Sequence, residues 1–163
     1  MTHKNHVLAF QSALTIDLSE LRPLIKEQKN HIDSESKNLI KPPLARTFIR
    51  ILKQMPKQFK ELYTVEDFAE KAIGVSKTTF EGWTPEPDTY SKPAFKSAWD
   101  RVKTIAQIQM SLVKIYQNKE SIISASVTNN NVFNKTFFEI ILSNDIEQQI
   151  QLKNYLEAIE KGM

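Results

Sequence analysis

Arg46, Arg50, Lys53, Lys57 and Lys60 step along the chain by four, three, four and three residues. That spacing lines side chains up on one face of a helix. Between Lys41 and Lys60 there are six basic residues and no acidic one. A one-sided row of cations can track the phosphates of a nucleic acid. The same row also suits an ordinary solvated helix face, and Pro56 is expected to break or kink the helix that carries it. A second cluster is Ser76, Lys77, Thr78, Glu81 and Gly82. On a helix offered to a DNA groove, Lys77 serves phosphate or guanine, and Ser76 and Thr78 bond phosphates or bases. Glu81 there accepts only from cytosine and otherwise repels the backbone.

The elements that must position the second cluster are legible around it. Thr64 caps a first helix, with Asp67 in the place of a capping-box acid. Phe68, Ala69 and Ala72 form its inner face. Gly74 can take positive φ and end it. Val75 anchors the turn, and Ser76 caps a second helix whose inner residues are Phe80, Trp83 and, in part, Thr79. Helix, glycine turn, helix is the architecture that presents a second helix to the major groove. A plain helical corner with Gly74 as its C-cap fits the same residues. Residues 63–92 carry 3 Lys/Arg against 6 Asp/Glu, which opposes DNA binding through this helix alone.

Catalytic chemistry finds no residues to carry it. The chain has no cysteine, so thiolate metal sites, disulfides and a cysteine nucleophile are excluded. With three glycines, it has no glycine-rich phosphate loop. Glu66-Asp67 is explained by helix-start electrostatics. His3 and His6 have a spacing that could grip a metal, but no acidic partner is near, and His31 lies in a polar stretch. The expectation is a non-enzyme with no metal and no cofactor.

The rest reads as helix. Residues 5–37 are loosely helical, with Ser19 a cap and Pro23 in a first turn. Residues 42–55 are amphipathic through Leu44, Phe48, Ile51, Leu52 and Met55, with Pro42-Pro43 at the start. A short turn with Phe59 and Leu62 inward follows. Residues 84–93, with Pro85, Pro87 and Pro93, read as a loop. Residues 93–117 form the longest helix, with an apolar stripe wide enough to bury both faces. Trp83 and Trp99 fall on apolar stripes and read as core. Helices are expected at 119–127 and 132–142, with a β-hairpin through Ile122-Ile123 and Ile140-Ile141-Leu142 as the rival. A final amphipathic helix covers 145–161.

The fold class is therefore all-α: a helix-turn-helix-containing domain with a long helix and a C-terminal helical oligomerisation region. The segments are 1–40, an N-terminal helical extension; 41–92, the helix-turn-helix region; 93–144, the long helix and oligomerisation region; and 145–163, a C-terminal helix. Of the 163 residues, 40% are apolar and 25% charged, ordinary for a globular chain. No apolar run reaches the length of a signal segment or membrane span, so a cytoplasmic protein is expected.

The order of three pieces resembles the small terminase subunits of tailed bacteriophages, the DNA-packaging recognition proteins. The first runs from Thr64-Val65 through Gly74-Val75-Ser76 to Phe80 and Trp83. The second is Pro93-Ala-Phe-Lys-Ser-Ala-Trp99 opening a long helix. The third is Asn131-Val-Phe-Asn-Lys-Thr-Phe-Phe-Glu-Ile-Ile-Leu-Ser-Asn144. Together they cover about 80 of the 163 residues. Asn130-Asn131 stand where the family has a glycine before its closing helix. The resemblance implies a homo-oligomeric ring that binds double-stranded packaging-site DNA in the host cytoplasm and passes it to a large ATPase-nuclease subunit. It implies ring contacts from whichever of Trp99, Val102, Ile105, Ile108, Met110, Leu112 and Tyr116 the core leaves free, and a C-terminal helix that docks the large subunit. The alternatives are a helix-turn-helix transcriptional regulator of phage or plasmid type, and a helical protein-interaction module without DNA binding.

Overall fold

A computed structural model describes residues 40–162; the expectations for residues 5–37, including His3, His6 and His31, lie outside it. The described residues form eight helices and no strand, an all-α fold. Helix α1 (Pro42–Gln58) opens with Pro42 and Pro43 in its first turn, where the missing N–H groups have no intrahelical partner to lose. It buries Leu44, Phe48, Ile51, Leu52 and Met55, the expected stripe, and also Ala45, Thr47 and Ile49. Pro56 does not break it. The ring sits in the last turn, and the Phe59 N–H closes the helix on the Met55 carbonyl at 2.9 Å.

Helix α2 (Val65–Asp67) starts at Thr64, whose hydroxyl accepts from Asp67 N at 3.1 Å. It continues as a wider π-helical stretch, Phe68–Ile73, that buries Phe68, Ala69, Ala72 and Ile73. Both Gly74 N and Val75 N donate to the Ala69 carbonyl, at 2.8 and 3.0 Å. Gly74 has φ 86°, the left-handed conformation that ends a helix. Helix α3 (Lys77–Glu81) follows at once. Ser76 caps it by accepting from Thr79 N at 3.1 Å.

The segment expected as loop holds a turn of helix, α4 (Pro87–Ser91), with Pro87 in its first turn and Thr89 and Tyr90 buried. Thr84 N donates to Thr89 Oγ1 at 3.1 Å and Tyr90 OH to the Pro85 carbonyl at 3.0 Å, so this proline-rich stretch is folded in on itself. Helix α5 (Pro93–Tyr116) packs against α1, the π-helical stretch and the last helix. Helix α6 (Lys119–Val127) is capped by Asn118. The hairpin alternative reduces to one isolated bridge between Asn130 and Lys135. The helix expected over 132–142 begins later, as α7 (Phe137–Ile141). Asn130 Oδ1 instead accepts from Val132 N and Phe133 N, and Asn134 takes φ 56°, which make a turn of 130–135. Thr136 and Glu139 then form a reciprocal capping box.

Helix α8 (Ile146–Glu160) lies along α5. Arg101 reaches the loop before α8, its guanidinium donating to Asn144 Oδ1 and, at 3.2 Å, to the Asn144 carbonyl. At the other end Lys114 pairs with Glu160 at 2.6 Å, and Ser111 Oγ donates to the same carboxylate at 3.1 Å. The two helices therefore run in the same direction. The fully buried Gln149 donates from Nε2 to the Ala72 and Ile141 carbonyls, at 3.1 and 2.9 Å. One amide thus fastens α8 to the end of the π-helical stretch and to the end of α7.

A Cβ added at Gly74 would lie 2.6 Å from Arg101 Nη1. Gly74→Ala is expected to cost ~1–2 kcal/mol through the left-handed backbone alone, with a further loss as Arg101 is pushed off Asn144. Urea unfolding in an Arg101→Ala background should recover that second part and leave the first. Asp145 supplies a pH signature. Its carboxyl is held below the usual range by hydrogen bonds from the Gln148 backbone and side chain and from Glu147 N. Its lowered pKa favours the folded state at pH above the ordinary carboxylate range. That contribution is lost as pH falls through the folded value. Asp145→Ala should flatten this limb of the stability–pH curve.

Candidate nucleic-acid interface

The basic row runs along α1 from Arg46 to Lys57, since the helix does not stop at Pro56, and Lys60 lies in the turn just beyond its end. It lies opposite Phe48, Leu52, Met55 and Phe59, which are all buried. Arg46, Lys57 and Lys60 are exposed. Arg50 is exposed too, and it already makes an interaction within the chain. Lys53 departs from the expectation. Its Nζ donates to the Phe80 carbonyl at 2.7 Å and stands 4.7 Å from the centre of the Phe80 ring. Partial burial lowers its pKa, against the opposing pull of the Glu81 carboxylate. Lys53 is a bracket between α1 and α3, not a free phosphate ligand.

Helix α3 is only five residues long. Isolated helices of this length are not stable in water. Burial of Phe80 and Trp83 holds it, both 2% exposed. Phe80 packs edge-on to Phe68 at 5.7 Å and to Trp83 at 5.9 Å, and Trp83 meets Phe95 of α5 at 5.1 Å. Both tryptophans are core, as expected; Trp99 lies 5.9 Å from Phe48. With this face fixed inward, Lys77, Thr78, Glu81 and Gly82 are exposed. Ser76 is committed locally: its hydroxyl accepts from Thr79 N and donates to Thr79 Oγ1 at 2.9 Å.

The two clusters, 76–82 and the row on α1, are thus neighbours in space. The sequence treats them as competitors for one role. The Lys53 hydrogen bond ties the middle of the basic row to the end of α3. No spacing rule signals this contact, because Lys53 and Phe80 are 27 residues apart.

The residues expected at a ring interface lie elsewhere. Trp99, Val102, Ile105, Ile108, Met110 and Leu112 are all buried within the single chain, none more than 4% exposed. Ring contacts were expected from whichever of these residues the core leaves free, and it leaves none of these six. Helices α1 and α8 both pack against α5, and its wide stripe is consumed by the core. Only Tyr116 of that set stays partly exposed.

No family model, curated protein or solved structure matches the chain. Among the described residues, no helix is long and apolar enough to cross a membrane.

Lys53→Met keeps the aliphatic stem over Phe80 and removes the donor. It should lower stability by ~1 kcal/mol, whereas Lys57→Gln should change it by no more than ~0.5 kcal/mol. Urea titration of the two variants side by side measures the difference.

Proposed function

We propose that this chain is a non-catalytic protein that binds double-stranded DNA through α3 and the basic face of α1 together. The observation that carries the reading is the Lys53–Phe80 bond, which ties the end of α3 to the middle of a basic row whose Arg46, Lys57 and Lys60 are exposed. Acidic residues around the turn weigh against binding by α3 alone. Arg46, Lys57 and Lys60 beside it supply the missing phosphate attraction. Lys77 and Thr78 are exposed on α3 to reach the duplex. Phosphate contacts fix the position of the protein, and α3 reads the groove.

Within this class, the order of the three sequence pieces supports a packaging-site recognition subunit of the small-terminase kind, working beside a large ATPase-nuclease. On that reading the ring contact cannot rest on the apolar residues of α5, six of which the core has taken. It must use other surfaces, with α8 left to dock the large subunit. The second reading is a dimeric helix-turn-helix regulator. Light scattering separates them: a mass several times 18.8 kDa supports the ring, and about twice that mass supports the regulator.

DNA binding is tested by fluorescence anisotropy over a salt series. The wild-type affinity should fall steeply with salt. Arg46→Gln and Lys57→Gln should each reduce the slope of log K against log salt by ~0.9 while leaving the circular dichroism unchanged. Failure to retain duplex DNA at low salt would overturn the reading.

A further inference from the structure

Phosphate attraction does not explain Glu81, and the fold does not require Gly82. Glu81 ends α3 on its exposed face. Its carboxylate attracts the Lys53 ammonium, with no ion pair or hydrogen bond between the two among the described residues. A carboxylate on a phosphate-facing surface is repelled by the backbone unless it finds a donor on the nucleic acid. Gly82 follows it, also exposed, at φ −75° and ψ −12°, a right-handed conformation open to any residue. A Cβ there would meet only the Thr78 and Thr79 carbonyls, each at the ordinary contact distance of 3.5 Å. The fold therefore does not require glycine at 82. What a bare backbone does supply at an exposed helix end is close approach by a ligand.

We propose that Glu81 and Gly82 form the base-reading point of this surface: the Glu81 carboxylate accepts from the exocyclic amine of a cytosine in the major groove, and Gly82 leaves room for the groove wall. This rests on the DNA-binding reading and deepens it. Cytosine N4 is the major-groove donor that a carboxylate can select, since guanine offers only acceptors there and adenine pairs its donor with an acceptor. Lys53 makes the placement tolerable. Its ammonium donates to the carbonyl of the preceding residue, Phe80, and its charge offsets the carboxylate. Thr78 and Lys77 flank Glu81 on the same face and supply the neighbouring contacts.

The test is selection of bound sites from a randomised duplex pool by the full chain, with anisotropy on the selected site. The wild type should enrich a C·G pair at one position. Glu81→Ala should lose that preference while binding unselected duplex as well or better, since a repulsive charge is gone. Glu81→Gln should move the preference toward adenine, whose edge an amide matches. Gly82→Ala should melt at the same or a higher temperature and yet bind the selected site about tenfold more weakly. A pool enriched without any cytosine position, or a preference that survives Glu81→Ala, overturns the assignment of Glu81. Undiminished binding by Gly82→Ala overturns the role of Gly82. In either case the DNA-binding reading stands. A wild type that retains no duplex overturns that reading and this inference with it.

Discussion

The burial of Phe80 and Trp83 is the constraint on which the outward surface depends. Five residues cannot hold themselves in a helix, and the Ser76 cap contributes only about 1 kcal/mol. A buried aromatic ring contributes roughly 1.5–3 kcal/mol, and α3 has Phe80 while Trp83 lies just beyond it. The rings do not stop there. Contacts pass from Phe48 to Trp99, Phe95, Trp83, Phe80, Phe68 and Tyr63. This chain of aromatics joins α1, α5, α3 and α2, so the direction in which Lys77, Thr78 and Glu81 face is set by the core as a whole. Tyr63, deep in that chain, has its phenol pushed far above the ordinary range by burial, so it stays neutral.

Lys53 shows how charge and packing are shared at this surface. Its stem lies over Phe80 while its ammonium meets the carbonyl at the end of α3. A cation at a helix C-terminus opposes the partial negative charge there, and it also offsets Glu81. The cost is partial desolvation of the ammonium, which is why its pKa is lowered. A lysine on the basic row thus holds two helices together and leaves the exposed cations Arg46, Lys57 and Lys60 to face solvent.

Much of the local structure could be read from the chain because its causes are local. Thr64, Gly74 and Ser76 cap and turn as their side chains and backbone freedom require, and Phe68, Ala69, Ala72, Phe80 and Trp83 bury as their spacing requires. The π-helical stretch was not legible, since it depends on two N–H groups sharing the Ala69 carbonyl. The turn of helix at Pro87–Ser91 was hidden behind its prolines, one of which opens it. The α7 boundary had a readable signal, the Thr136/Glu139 capping box, which the apolar run from Val132 masked. For the site, the member residues were legible and their arrangement was not. Lys53 was assigned to phosphate because periodicity gives a direction, not a partner. Which apolar residues of α5 the core leaves free for a ring is not legible either, because the sequence cannot say how many neighbours a helix has.

The turn itself is held from the far end of the chain. Arg101 lies against Gly74 while grasping Asn144, and Gln149 bonds the Ala72 carbonyl two residues before the turn. Neither partner belongs to the segment from Thr64 to Trp83. The segment carries the caps, the glycine and the inner face that make a helical corner, but the angle between its halves is fixed by α5 and α8. The Arg101 guanidinium lies so close to Gly74 that only a residue without Cβ admits it without displacement. A change in α8 is therefore felt at α3 through two hydrogen-bonded side chains, and the outward rod is a property of the folded chain and not of its own twenty residues.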